Sequence, residues 1–114
     1  MGNIENERSK FGLIGKQISY SFSKAYFTKK FVDLGLKNHS YENFDLEHMD
    51  SFPELIKSNK HLKGLNVTIP YKEVVLPYLT ELAPKAKRIG AVNTIKFTKE
   101  GLKGYNTDIY GFQK

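Results

Sequence analysis

Hydrophobic and polar positions change their spacing several times along this chain, and each change marks a new element. Phe11-Gly-Leu-Ile-Gly15 is a short apolar run closed by glycine, and a polar, turn-prone stretch after it leads into a helical pattern near Ser23. The spacing predicts strand, loop and helix in that order. Within the helix Tyr26, Phe27, Phe31 and Leu34 recur at helical intervals, Ser23 is placed to act as N-cap, and Gly35 suits the left-handed turn that ends it. Ser40 to Leu46 brings Tyr41, Phe44 and Leu46 between polar residues and reads as a strand. Phe52 to Ile56, with Pro53 near its start, reads as a short helix.

Gly64-Leu-Asn-Val-Thr-Ile69 alternates cleanly. A strand there turns Asn66 and Thr68 to one face and Leu65, Val67 and Ile69 to the other. Two short helical stretches follow, and Pro77 and Pro84 forbid one continuous helix. Ile89 to Phe97 is rich in β-formers, Lys99-Glu100-Gly101 supplies a turn, and Leu102 to Thr107 returns as a strand, so a hairpin is expected. From Asp108 a new helix is expected to begin. Strands separated by helices predict an α/β fold: a mostly parallel sheet with one antiparallel hairpin and helices on both faces. We expect a polar N-terminal extension over 1–10, one domain over 11–108, and the start of a connecting helix over 109–114. The chain stops at Lys114 within that helical pattern, without a Gly or Pro to end it, so a fragment of a longer protein is expected.

Composition narrows the classes. A length of 114 residues suits one domain with one core, which leaves a ligand an open cleft rather than a large enclosed cavity. With no cysteine, neither a disulfide framework nor a thiolate metal site can form, and cytoplasm is the natural expectation. The first residues are polar and the longest uncharged run is Gly64 to Tyr71, so no membrane-entering segment is expected. The net charge of +6 is spread thinly, with Lys29-Lys30 and Lys87-Arg88 the adjacent basic pairs. No helix interleaves basic and aromatic residues on one face, so a nucleic-acid partner is not expected, and a small anion accounts for the charge as well. His39, His48 and His61 lie in separate segments without ligand spacing and are assigned surface or packing roles, leaving no metal site. Phe31, Phe44 and Phe52 read as core.

Polar residues concentrate where the strands of such a sheet would end, which is where open α/β sheets bind ligands. The segments are Ser19-Tyr-Ser21-Phe-Ser23, Asn66-Val-Thr68-Ile-Pro-Tyr-Lys72, and Asn93-Thr94 with Asn106-Thr107-Asp108. So many hydroxyls and amides suit a polyhydroxylated small molecule. Lys72 and Asp108 each follow a predicted strand. A carboxylate beside an ammonium can orient it and hold its charge, which gives a proton donor and acceptor for carbonyl/alcohol interconversion.

Asn66-Val-Thr-Ile-Pro-Tyr-Lys72, Gly90-Ala-Val-Asn-Thr94, and Asn106-Thr-Asp108 with Gly111-Phe112, following the Gly15 loop and Ser21-Phe-Ser23, resemble the signature blocks of shikimate dehydrogenases in the same order. The resemblance runs from Phe11 almost to the end. It implies that Ser21 and Ser23 bind the shikimate carboxylate, that Asn66, Thr68, Asn93 and Asp108 bind ring hydroxyls, and that Lys72 is the catalytic lysine assisted by Asp108. The implied reaction is reversible NADP-dependent reduction of 3-dehydroshikimate to shikimate, on the route to chorismate and the aromatic amino acids.

The first serine block departs from the family pattern. Gln17 and Lys24 stand where the family usually has proline, Tyr20 where it has histidine, and Phe27-Thr28 where it has histidine-asparagine. None replaces a matched ligand, but losing two prolines frees two backbone torsions in the loop. No two glycines here are separated by a single residue, so G-x-G-x-x-G is absent. The resemblance implies that NADP binds through such a turn on a second, Rossmann domain outside this chain, so the fragment alone is expected to be inactive. A dual quinate/shikimate dehydrogenase is the near alternative, and a non-catalytic binding module for a small polyhydroxy acid is the alternative of another class.

Overall fold

The computed structural model describes residues 8–18 and 22–108. Six strands form one sheet: β1 (Ser9–Gly15), β2 (His39–Asp45), β3 (Leu62–Val67), β4 (Glu81–Leu82), β5 (Thr94–Thr98) and β6 (Gly101–Tyr105). Their spatial order is β2-β1-β3-β5-β6-β4. β1 runs parallel to both β2 and β3, and β4 runs parallel to β6. Only β5 is reversed, antiparallel to β3 on one side and to β6 on the other. The expected mostly parallel sheet with a β5–β6 hairpin is thus observed, and the hairpin is stitched into the middle of the sheet.

Four α-helices connect the strands: α1 (Ser23–Asp33), α2 (Phe52–Ser58), α3 (Tyr71–Val74) and α4 (Pro84–Ile89). They lie on both faces because the strand side chains alternate. Ile14, Leu65, Val67 and Ile95 point to one side, where they pack with Phe52, Val75, Ala86 and Val92 from α2, the α3 region, α4 and the segment before β5. Leu13 and Tyr41 point to the other side and meet Phe27 and Phe31 of α1. Phe52, Ile14, Ile95, Val75 and Val92 are fully enclosed, and each such side chain contributes about 1.5–3 kcal/mol by leaving water. Phe31 and Phe44 join the two cores from partly buried positions.

Several boundaries differ from expectation, each for a local reason. In α1 the packing stripe is Phe27 and Phe31. Tyr26 is 58% exposed, set edge-on against Phe27 at 5.0 Å, and Leu34 is 62% exposed because it is the residue at which the helix ends. Gly35 follows with φ 73, the left-handed closure expected of it. Ser23 is the first helical residue rather than the N-cap, which is Phe22, and no side chain caps this helix. β3 ends at Val67, so Ile69 does not share the core face and is 74% exposed. The chain turns there because the Thr68 N–H donates to the Ile14 carbonyl and the Thr68 carbonyl accepts from Tyr71, opening α3.

Ile89 belongs to α4, which closes on Gly90 at φ 78, and β5 starts only at Thr94. The expected strand from Leu102 ends at Tyr105, leaving Asn106 to Asp108 as extended chain. β4 was not foreseen, since two residues cannot display a period. Pro53 and Pro84 start α2 and α4, and Pro77 lies in the 3-10 turn Leu76–Tyr78. The helix expected from 109 lies outside the described residues.

Candidate functional site

Because β1, β3 and β6 run in one direction, their carboxyl ends share one edge of the sheet. The reversal of β5 brings its start to that same edge. Four loops converge there: the turn after Gly15, Thr68 to Lys72, Ala91 to Asn93, and Asn106 to Asp108.

Asn93 is the centre of the arrangement. Its backbone carbonyl accepts from the Val67 N–H (2.9 Å) and its own N–H donates to the Tyr105 carbonyl (3.0 Å), which locks it between β3 and β6. Its side-chain Nδ2 donates to Asp108 Oδ1 at 3.1 Å. Its Oδ1 accepts from the Thr107 N–H (3.1 Å), the Thr107 hydroxyl (3.2 Å) and the Thr94 hydroxyl (3.0 Å). With that oxygen saturated, Asn93 offers an incoming molecule only its remaining N–H. Asn106 is buried and holds the same segment from within: Nδ2 donates to the Ala91 carbonyl (3.2 Å), and Oδ1 accepts from the Asp108 N–H (2.9 Å). Asp108 is thereby oriented by two asparagines, and its Oδ2 has no partner among the described residues.

Lys72 lies in α3 directly after the β3 turn. Its backbone carbonyl accepts from the Val92 N–H at 2.8 Å, tying it to the segment that carries Asn93. Its ammonium makes no ion pair or hydrogen bond among the described residues, where the ion pairs are Lys24–Glu42, Lys29–Asp33 and Lys103–Glu81. The expected Lys72–Asp108 pair is therefore brought to one edge without closing into a salt bridge.

Thr68 sits against the loop after β1. A Cβ on Gly15 would stand 2.5 Å from Thr68 Cγ2 and 2.8 Å from Ile18 Cγ2, so only glycine admits this approach. The loop itself is held by Asp45, whose carboxylate accepts from the Gln17 N–H (2.9 Å) and the Ile18 N–H (3.1 Å). Gln17 has φ 59, a torsion that the pyrrolidine ring of proline cannot reach. Lys24, the other residue in a family proline position, pairs with Glu42 at 3.7 Å on the surface.

Asn66 faces the α1 side of the sheet, and its Nδ2 donates to the hydroxyl of Tyr41 at 2.8 Å. Ser23 shares that hydroxyl. Burial pushes the Tyr41 hydroxyl above its ordinary 10.0, and the hydrogen bonds from Asn66 and Ser23 oppose the rise. Tyr71 is also pushed up, first by burial and then by the negative charges of Glu47 and Asp45; its hydroxyl donates to the Leu46 carbonyl at 2.6 Å. Ser21 lies outside the described residues.

Of the residues expected at the strand ends, Thr68, Lys72, Asn93, Asn106 and Asp108 come together at this edge, while Asn66 and Ser23 meet Tyr41 on the α1 face; sequence reasoning missed Tyr41 and Asp45. Tyr41 looked like a core aromatic in an alternating strand. The signal for Asp45 was an acid at the end of a predicted strand beside a loop rich in free N–H groups.

A cavity of about 650 Å³ adjoins the site on the α1 side, bordered by Phe11, Phe27, Phe31, Tyr41, Asn66, Thr94 and Tyr105. Its aromatic walls do not match a polyhydroxylated ligand, which the polar edge does. No group of three or more His, Asp or Glu able to hold a metal occurs among the described residues. No helix among the described residues is long and apolar enough to cross a membrane. The turn after β1 also does not fit a dinucleotide, because the N–H groups that would cradle a phosphate are donated to Asp45, a carboxylate that would repel it.

Fold and site together define an α/β domain with a polar edge where the ends of β1, β3 and β6 meet the start of β5. The chain matches the family model described as the shikimate dehydrogenase substrate binding domain over residues 13–95, and it belongs to that family. It is 46% identical over 104 residues to the shikimate dehydrogenase (NADP(+)) of Clostridium beijerinckii, covering 90% of this chain and 38% of that protein. Against the enzyme of the same name from Chlorobaculum tepidum the identity is 44% over 113 residues, covering 96% and 38%. Among solved structures, shikimate dehydrogenase 1 from Peptoclostridium difficile superposes with a TM-score of 0.77 at 40% identity, over 87% of this chain and 37% of that one. Shikimate 5-dehydrogenase from Thermus thermophilus, solved in complex with shikimate, gives 0.78 at 36% identity, over 91% and 40%. The chain therefore spans about 38% of the length of the curated relatives it matches.

Proposed function

We propose that this chain is the substrate-binding part of an NADP-dependent shikimate dehydrogenase, with residues 11–108 forming the domain and 109–114 leading toward a cofactor domain that this chain does not contain. The reaction is reduction of 3-dehydroshikimate to shikimate, in aromatic amino acid biosynthesis in the cytoplasm. The observation that carries the reading is the gathering of Lys72, Asn93 and Asp108 at one sheet edge in a chain of this family. In this reading Ser21 and Ser23 take the substrate carboxylate, while Asn66, Thr68, Asn93 and Asp108 take its hydroxyls.

Lys72 gives a proton to the carbonyl oxygen as it gains negative charge, and Asp108 holds the ammonium and substrate hydroxyl in line. In this reading a substrate oxygen lies between the ammonium and the carboxylate. The one free N–H of Asn93 makes it a donor rather than an acceptor toward the ring. Since the turn after β1 does not fit NADP, no step of cofactor chemistry is assigned to this chain.

The reading is tested by mixing this chain with NADPH and 3-dehydroshikimate, alone and as part of the complete protein. Turnover is expected only from the complete protein. NADPH oxidation by the chain alone would overturn the division of labour, and a complete protein inactive on 3-dehydroshikimate would overturn the substrate. Rates with quinate, and with NAD against NADP, distinguish a dual quinate/shikimate enzyme.

A further inference from the structure

Among the described residues Asn106 is the one amide or charged side chain that is buried, at 8% exposure. It stands directly after β6, where residues 106–108 form neither strand nor helix. A buried amide must find partners for both of its ends, because a polar atom left without one costs as much as a lost hydrogen bond.

The two ends are used differently. Nδ2 donates to the Ala91 carbonyl (3.2 Å), which fixes Asn106 to the segment leading into β5. Oδ1 reaches forward and accepts from the Asp108 N–H (2.9 Å), closing a turn over Thr107. That turn sets the direction in which the Asp108 side chain leaves the backbone. Asn93 Nδ2 then takes up Asp108 Oδ1 at 3.1 Å, and Oδ2 keeps no partner among the described residues. Asp108 is itself exposed and lies outside any regular element, so without the turn its backbone would sample many directions and carry the carboxylate with it.

We propose that Asn106 is a positioning residue for the reaction: its Oδ1 aims the Asp108 carboxylate at substrate, and its Nδ2 anchors the turn that does so. The inference rests on the shikimate reading above, in which Asp108 takes a ring hydroxyl. Residue chemistry explains the choice of an amide. Aspartate at this position would close the same turn but bury a charge against the Ala91 carbonyl. Serine closes such a turn more weakly, through a shorter arm, and gives up the donor to Ala91.

The test separates the two ends of the amide in the complete protein. Asn106→Leu fills the same buried space and removes both hydrogen bonds; Asn106→Ala removes both without the bulk, and either variant that folds suffices. Asn106→Ser keeps an acceptor for the Asp108 N–H and loses the donor to Ala91. Each variant is expected to lower the urea midpoint, because the Ala91 carbonyl loses its donor in all of them. Shikimate binding, read by calorimetry, is expected to weaken about tenfold in the leucine and alanine variants, the size of one hydrogen bond to a charged group, with kcat/KM for 3-dehydroshikimate falling alongside. Asn106→Ser is expected to stay within about threefold of the unmodified protein in both measurements. In an Asp108→Ala background, Asn106→Leu is expected to add less than about twofold, since no carboxylate remains to be aimed.

Equal losses of binding in the serine and leucine variants, or unchanged binding in the leucine and alanine variants, overturn the inference and leave the substrate reading standing. A loss of the same size with and without the Asp108 side chain does so too, because it assigns Asn106 a purely structural part. A complete protein that does not bind shikimate, or whose binding Asp108→Ala leaves unchanged, overturns both.

Discussion

Replacing Gly15 by alanine adds a single methyl group at the point where the loop after β1 meets the Thr68 turn. Gly15 does not have a left-handed torsion, so alanine is not opposed by the backbone and the effect is one of space. The added carbon would stand 2.5 Å from Thr68 Cγ2, 2.8 Å from Ile18 Cγ2 and 3.3 Å from the Ile69 carbonyl oxygen. Carbon atoms in contact prefer about 3.5–4.0 Å, so Thr68 and Ile18 must each retreat by about 1 Å. Crowding of this kind destabilises by about 1–3 kcal/mol.

The displacement falls on Thr68, a proposed substrate ligand, so shikimate affinity of the complete protein should drop alongside stability. Thr68→Ser removes the methyl that Gly15→Ala strikes and keeps the hydroxyl. Urea unfolding of the single and double variants should therefore show a favourable coupling of about 1 kcal/mol. A Gly15→Ala protein as stable as the original, or a double variant no better than the sum of its parts, would refute this account of the contact.

Lys72→Ala in the complete enzyme should lower kcat by about 100-fold or more while leaving shikimate Kd within a few-fold, since the lysine acts mainly in the transition state; an unchanged kcat removes its role. Asp45→Ala should release the Gln17 and Ile18 N–H groups, lowering stability by about 1–2 kcal/mol and weakening shikimate binding through the adjacent serine loop, as read by urea unfolding and calorimetry. Tyr71→Phe should lower stability by about 1 kcal/mol by leaving the buried Leu46 carbonyl without its donor. The raised Tyr71 hydroxyl also sets a pH dependence: above its ordinary 10.0 the unfolded chain loses a proton that the folded chain keeps, so stability falls as pH rises from there toward the folded value. Urea midpoints at increasing alkaline pH should decline less steeply in Tyr71→Phe than in the unmodified protein, and parallel declines would contradict the assignment.

Much of this protein is legible from its sequence because the relevant signals are local. A short apolar run located β1, alternation located β2 and β3, β-formers around a Gly turn located the β5–β6 hairpin, and helical spacing with Pro53, Pro84 and Gly35 located the starts and stops of helices. Residue chemistry, together with the family blocks, singled out Lys72, Asn66, Thr68, Asn93 and Asp108. Periodicity records which face of an element is buried, but it does not record which strands become neighbours or in which direction each runs.

Tertiary structure alone decided that β5 reverses between β3 and β6, which delivers Asn93 to the edge that holds Lys72 and Asp108. It also decided that Tyr41 crosses β1 to join Ser23 with Asn66, and that the Asp45 carboxylate holds the turn after β1. These contacts join residues far apart in the chain, and their partners are chosen by strand order and by the distance between strands. Residue type and local spacing determined what chemistry was present; the pairing of strands determined which groups share one site.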